Sequence, residues 1–281
     1  MKTILTFATI LLFQSCWAQR LYGSAAIGYQ SILNQDQPPS YIVNTYHQIS
    51  NPWFWGEENP EFQHMLTSDL TLGWQFRNQL GIEVTGSYLK PQTQIENYGD
   101  YLNKQFKGDF WRINPKLVIA LPIKKLDLCM KMGPLIGSGK MEFYQRFQND
   151  GSWNLGYQEA EMTYEYTQQV SLGFSSSICF SKRILNNLEL FSEIQFNYQT
   201  ISPTKGKLTE LKFDGVDQLS LASYDPYSSE IQFGDESEWY YWHSEDPSQP
   251  QKLYKRTYSL TGFALTVGCK FTIWRKGEGK K

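Results

Sequence analysis

Apolar side chains recur at every second position in eight separate stretches of this chain, and that period fits one backbone: the extended strand, where a step of one residue turns a side chain to the opposite face. Leu70, Leu72, Trp74 and Phe76 alternate with Asp69, Thr71, Gly73, Gln75 and Arg77. After a break at Asn78 and Gln79, Leu80, Ile82, Val84 and Tyr88 alternate with Glu83, Thr85 and Ser87. Two such runs around a short polar break predict an antiparallel hairpin with a tight turn.

The unit returns twice. Trp111, Ile113, Pro115, Leu117, Ile119 and Leu121 lead through Ile123-Lys124-Lys125 into Leu126, Leu128, Met130, Met132 and Ile136. Val170, Leu172, Phe174, Ile178 and Phe180 lead through residues 182–187 into Leu188, Leu190, Ile194, Phe196 and Tyr198. Single runs stand at the ends, with Leu21, Ala25, Ile27 and Tyr29 on one face of 21–31 and Phe263, Leu265, Val267, Phe271 and Ile273 on one face of 257–274. Four long connections, near 32–67, 90–108, 138–168 and 200–256, alternate with the three short ones. Short turns on one side and long loops on the other are the asymmetry of outer-membrane barrels. The pattern predicts an all-β fold, an eight-stranded antiparallel transmembrane up-and-down β-barrel with long extracellular loops. In the third connection, Phe143, Gln145 and Phe147 reach the turn signal Asn149-Asp150-Gly151-Ser152, and Met162, Tyr164 and Tyr166 follow, which predicts a β-hairpin projecting beyond the membrane.

Composition agrees with a wall in which only alternate residues meet lipid. Aromatic residues make up 16% and charged residues only 19%, yet mean hydropathy is -0.47, and after residue 18 no apolar run reaches the length of a membrane helix. A net charge of -2, with no clustering of Lys and Arg, argues against a nucleic-acid partner. Residues 1–18 read as a signal peptide: Lys2, an apolar core from Ile4 to Phe13, and a small residue, Ala18, at the cut. That leaves 19–281 as the barrel, ending in a short polar tail, 275–281. Phe13-Gln14-Ser15 before Cys16 departs from the pattern of lipoprotein signals.

With apolar residues outward, rings gather at strand ends. Trp74, Phe76, Phe180 and Trp274 form one girdle, and Tyr29, Tyr88, Trp111 and Tyr198 the other, where amphipathic rings meet the lipid interfaces. The inward face carries Glu83, Arg112, Lys116, Lys131, Glu189, Glu193 and Lys270. Buried charges of nearly balanced sign must pair or stay wet, and eight strands leave a bore only wide enough for side chains or one small ligand. This predicts a plugged barrel rather than a diffusion pore. Cys129 and Cys179 share the inward parity on adjacent strands, which leaves open a cross-strand disulfide or two buried thiols. Cys269 faces outward, and the odd number of cysteines in the mature chain precludes complete internal pairing.

No catalytic motif stands out, and no enzyme, cofactor or metal site is predicted. His47, His64 and His243 fall in the loops. His243 beside Ser244, Glu245 and Asp246, or His64 near Glu61 and Asp69, would suit a hydrolase or acyltransferase only if folding built a triad. Asp235-Glu236-Ser237-Glu238 lacks the spaced ligands of a calcium loop. The loops concentrate aromatic residues at Trp53, Trp55, Trp239, Tyr241 and Trp242, which read either as a surface for a protein, glycan or lipopolysaccharide head group or as a lid over the barrel mouth.

The signal ending Trp17-Ala18-Gln19, the eight alternating strands and the aromatic-rich last strand, Phe263 to Trp274, resemble the outer-membrane protein β-barrel domain family, the small OmpA/OmpX-like and porin-family barrels of Bacteroidetes type. The likeness covers nearly all of residues 19–275; the seven-residue polar tail departs from it, since such barrels usually end at an aromatic in the last strand. The resemblance implies residence in the outer membrane of a Gram-negative bacterium, in contact with its lipid and lipopolysaccharide. Two functions fit: a non-enzymatic barrel displaying its loops for binding, adhesion or envelope integrity, or a small porin or carrier of hydrophobic ligands.

Overall fold

The computed structural model describes residues 20–33, 62–77, 79–98, 102–123, 126–149, 157–221, 230–234, 251–254 and 257–275. Fifteen strands run through them: β1 (Arg20–Ile32), β2 (His64–Arg77), β3 (Leu80–Pro91), β4 (Gln94–Tyr98), β5 (Leu102–Ile123), β6 (Leu126–Gln148), β7 (Glu159–Gln168), β8 (Ser171–Leu185), β9 (Leu188–Ile201), β10 (Pro203–Phe213), β11 (Val216–Asp217), β12 (Glu230–Gly234), β13 (Gln251–Tyr254), β14 (Tyr258–Ser259) and β15 (Gly262–Arg275). The expected signal peptide, the polar tail beyond Arg275, His47, His243 and the loop aromatics Trp53, Trp55, Trp239, Tyr241 and Trp242 lie outside the described residues.

Eight strands close into a ring in the order β1-β2-β3-β5-β6-β8-β9-β15, each antiparallel to both neighbours. Closure rests on β1, where Ala25 stands opposite Leu70 of β2 and opposite Cys269 of β15. The fold is therefore all-β, a closed eight-stranded antiparallel barrel with its short turns at one end and its long connections at the other.

Alternation decides what each face carries. Outward residues include Ile27, Leu70, Leu172, Leu265 and Ile273, with Leu70 and Leu172 71% and 73% exposed. Inward residues of the ring strands β3, β5, β6 and β9 are buried and polar: Glu83, Thr85, Arg112, Asn114, Lys116, Lys131, Glu193, Gln195 and Asn197. In place of the usual apolar core this cylinder has a polar one, surrounded by an apolar surface.

The bore is filled in stacked layers. Near the turn end sit Val118, Cys129, Cys179 and Phe191. Charged residues lie on both sides of this layer, Glu189 and Lys270 toward the turns and Lys131 and Glu193 toward the loops. At the loop end Ile32, Phe62, Met65, Leu89, Phe110, Met141, Ile201, Tyr258 and Leu260 form an apolar stopper, with the ring of Phe62 edge-on to Phe110 at 5.8 Å. Gly73 makes room for part of this packing, because a Cβ there would sit 2.3 Å from the Tyr22 ring.

Beyond the mouth the structure has more order than its long connections suggested. β5 and β6 run on past the ring, paired from Ile123 and Leu126 up to Leu102 and Phe147. β7 pairs with the far half of β6, as expected for a projecting hairpin. β4 adds to β5, β10 to β7, β12 to β10 and β13 to β12, so the second, third and fourth connections share one sheet of order β13-β12-β10-β7-β6-β5-β4. This differs from the expected loops because alternation persists through these segments with its sense reversed. On β5, apolar Trp111 to Leu121 face outward beside the ring, whereas beyond it polar Asn103, Gln105, Lys107 and Asp109 take the outward parity and Phe106 and Phe110 turn inward. On β6 the change falls between Ile136 and Lys140, with Met141, Phe143 and Phe147 buried above it.

The projecting sheet has its own apolar cluster of Phe106, Phe143, Phe147, Ala160, Met162, Tyr164, Leu208 and Leu211. A two-residue turn, Asp214-Gly215, joins β10 to β11 with both residues at positive φ (49° and 76°). That is the backbone of a primed hairpin turn, which Asp-Gly adopts readily. The Asp214 carboxylate also accepts the amides of Gln158 and Glu159 at 2.9 and 2.8 Å, tying the turn to the start of β7.

Candidate functional site

Two places concentrate polar side chains: the middle of the bore and the outer face of the projecting sheet. In the bore, β1, β3, β6 and β9 are alternate members of the ring, so their inward residues converge at one level. Lys131 on β6 reaches Glu83 on β3 at 3.0 Å and Glu193 on β9, across the ring from β3, at 2.7 Å. Tyr22 on β1 donates its hydroxyl to Glu83 Oε1 at 2.6 Å, and Lys116 on β5 stands 3.3 Å from Glu193. The cross-section is thus bridged wall to wall.

Seven charged residues were read from the sequence as facing the bore, and all seven are buried there. Four form this layer. Glu189 lies nearer the turn end, where Arg20 approaches it at 2.6 Å and Lys270 at 3.9 Å. Arg112 stands apart. Its guanidinium donates to Gln30 Oε1 at 3.0 Å and to the Leu260 carbonyl at 3.5 Å, and among the described residues no carboxylate is within ion-pair distance. Gln30 also accepts from Asn197 at 3.3 Å and donates to Leu260 at 2.7 Å, so amides rather than a carboxylate hold this cation. Sequence reading missed Arg20, Tyr22 and Gln30. The usable signal was parity, since Tyr22 is a ring on the polar side of β1.

The histidine readings find no support among the described residues. His64 points outward and stacks on Tyr29 with ring centroids 5.2 Å apart, whereas Asp69, five positions along the same strand, faces the bore. Opposite parity keeps them from sharing a site.

The outer face of the projecting sheet is laddered with charge. Arg146 holds Glu159 through two bonds of 2.6 and 3.0 Å, Tyr144 donates to Glu161 at 2.9 Å, Lys140 meets Glu165 at 2.7 Å, and Lys212 bonds Glu210. Between these rows opens a groove of about 490 Å³ bordered by Lys107, Glu142, Tyr144, Thr163, Glu210 and Lys212. Such a surface offers paired donors and acceptors with one ring among them. None of these residues was singled out in the sequence, because the groove exists only once β5, β6, β7 and β10 lie side by side.

The Arg146 bond holds the Glu159 carboxyl below the usual carboxylate range, and the Lys212 bond does the same for Glu210. Partial burial and the Glu161 carboxylate push the Tyr144 phenol well above its ordinary value, keeping it a donor. A carboxyl whose value is depressed by folding adds stability that is present above the unfolded value and lost as pH falls through the folded one. Acidification from pH 6 to 3 should therefore lower the urea midpoint of the projecting sheet. The change is small, since exposed pairs contribute about 0.2–1 kcal/mol, and Arg146→Gln should remove part of it. An acid response unchanged in that variant would show that the pair does not matter.

No family model and no curated protein matches this chain. Among solved structures, it is similar to Ail, the attachment invasion locus protein of Yersinia pestis, at 9% identity and a TM-score of 0.36, covering 91% of this chain and 99% of that one. It is also similar to Neisserial surface protein A, at 11% identity and a TM-score of 0.37, covering 90% and 97%. Ail in complex with the heparin analogue sucrose octasulfate gives 10% identity and a TM-score of 0.36, covering 90% and 99%. Overlap this loose carries nothing from those proteins to this one.

Proposed function

We propose that this chain is an integral outer-membrane protein of a Gram-negative bacterium, without catalytic machinery, whose barrel anchors the projecting sheet outside the cell to bind a protein or glycan. The observation that carries this reading is the reversal of polarity along β5 and β6. A continuous strand has no reason of its own to exchange which face is apolar, so the surroundings of the sheet must change along it. Trp111 to Leu121 on β5 and Leu128 to Ile136 on β6 match the roughly 9–11 residues that a tilted strand needs to cross a bilayer. From Asp109 back to Asn103 on β5 and from Lys140 on to Gln148 on β6 the outward face is polar, as water demands. Tyr29, Tyr88, Trp111 and Tyr198, each about half exposed, sit where the change occurs and suit an interfacial girdle.

The filled bore favours anchoring over passage, because the Glu83-Lys131-Glu193 bridge and the apolar stopper both lie across any route. The protein should sediment with the outer envelope, and protease added to intact cells should clip the projecting sheet and leave a membrane-embedded barrel. A mature chain freely soluble without detergent, or one in the inner membrane, would overturn the assignment. Refolded into planar bilayers it should give no single-channel steps; reproducible steps would favour a small porin.

A further inference from the structure

Cys129 on β6 and Cys179 on β8 are direct register partners. Both side chains face the bore, 6% and 0% exposed, and they pack in one cluster with Val118 and Phe191. Directly opposed residues of an antiparallel pair have Cα atoms roughly 4.5–5.5 Å apart, inside the roughly 4.4–6.8 Å that a disulfide spans. Cys269 is placed differently. It faces outward, opposite Ala25 and Leu190 on its two neighbouring strands, and the wall separates it from the other two.

We propose that Cys129 and Cys179 are joined by a disulfide bond in the exported protein, with Cys269 left as a free thiol. The proposal rests on the export reading above, which takes the chain through an oxidising compartment. The co-reactant is a thiol oxidoreductase of that compartment in its disulfide form. The Cys129 thiolate attacks one sulfur of the oxidant disulfide and expels the other as a thiolate. The Cys179 thiolate then attacks the Cys129 sulfur of this mixed disulfide and releases the second oxidant thiolate. Two electrons pass to the oxidant, the protons of both cysteines end on its dithiol, and one S–S bond replaces another. Because both thiols are buried once the ring is closed, this exchange precedes closure.

The bond would close a loop over residues 130–178. That loop contains the far half of β6 and all of β7, so the bond ties together the two roots of the projecting hairpin at the base of β6 and β8.

The test uses the wild-type chain from its own cells, quenched in acid, fractionated, unfolded, and alkylated with N-ethylmaleimide before or after reduction. Intact mass should show two fewer adducts in the unreduced sample, and a digest should yield one peptide pair linked through positions 129 and 179. Cys269→Ala should keep the difference of two. Equal adduct counts in chain recovered from the outer envelope would overturn the bond while leaving the membrane reading intact. A linked peptide that contains Cys269 would also overturn it. Recovery of the chain only outside that envelope would overturn the export reading and this inference together.

Discussion

Replacing Lys131 with Met should destabilise the barrel by about 3–5 kcal/mol, the cost of removing one member of a buried ion cluster. Lys131 is 5% exposed and lies between two carboxylates on opposite sides of the ring. Without its ammonium, Glu83 keeps the Tyr22 hydroxyl and Glu193 keeps Lys116 at 3.3 Å. The two carboxylates then face each other without the cation that stood between them. Urea unfolding of the barrel in lipid vesicles measures the loss. Adding Glu83→Gln should recover much of it, because the remaining charges, Glu193 and Lys116, still neutralise each other. A single variant within about 1 kcal/mol of wild type would mean that water already screens this layer, as for an exposed pair.

Phe143→Ala should act elsewhere. The Phe143 ring stacks on Phe106 at 4.7 Å and faces Tyr166 at 6.5 Å, at the centre of the apolar cluster beyond the mouth. Deleting a buried Phe costs about 3–5 kcal/mol through lost transfer energy and the cavity left behind. The cost falls on the cooperative unit that contains the side chain. Opening of the projecting sheet should therefore become more frequent by two orders of magnitude or more, at tenfold per 1.4 kcal/mol. Limited proteolysis should cut β7 and β10 correspondingly faster while the barrel's own urea midpoint stays unchanged. If the barrel midpoint fell in step, sheet and barrel would be one folding unit. The two substitutions are designed as opposites, one loosening the cylinder and the other the sheet it carries.

Much of the cylinder was legible in the sequence because its rule is local. Leu70, Leu72 and Trp74 declare a face without knowledge of any other strand, and so do Glu83, Lys116 and Lys131 on the face behind. Pairings across the bore were not legible. That Glu83 meets Lys131, and that Arg112 meets Gln30 rather than a carboxylate, depends on strand register and on which strands stand opposite, neither of which leaves a mark at these positions. The projecting sheet was half legible. Phe143 to Phe147 and the turn signal after them announced the β6–β7 hairpin, but β10 comes from the fourth connection and pairs with β7 over some forty residues of separation. Its local clue, Asp214-Gly215, is a hairpin signal that names a turn but not the strand β10 goes on to pair with.

That β5 and β6 pass without interruption from the cylinder into the sheet bears on how the molecule would take a mechanical load. Their inter-strand hydrogen bonds lie perpendicular to the strands, so a pull on the far tip, directed along the barrel axis, shears the whole ladder at once and does not peel it rung by rung. Tension applied at that tip would be shared along β5 and β6 and delivered to the wall of the cylinder.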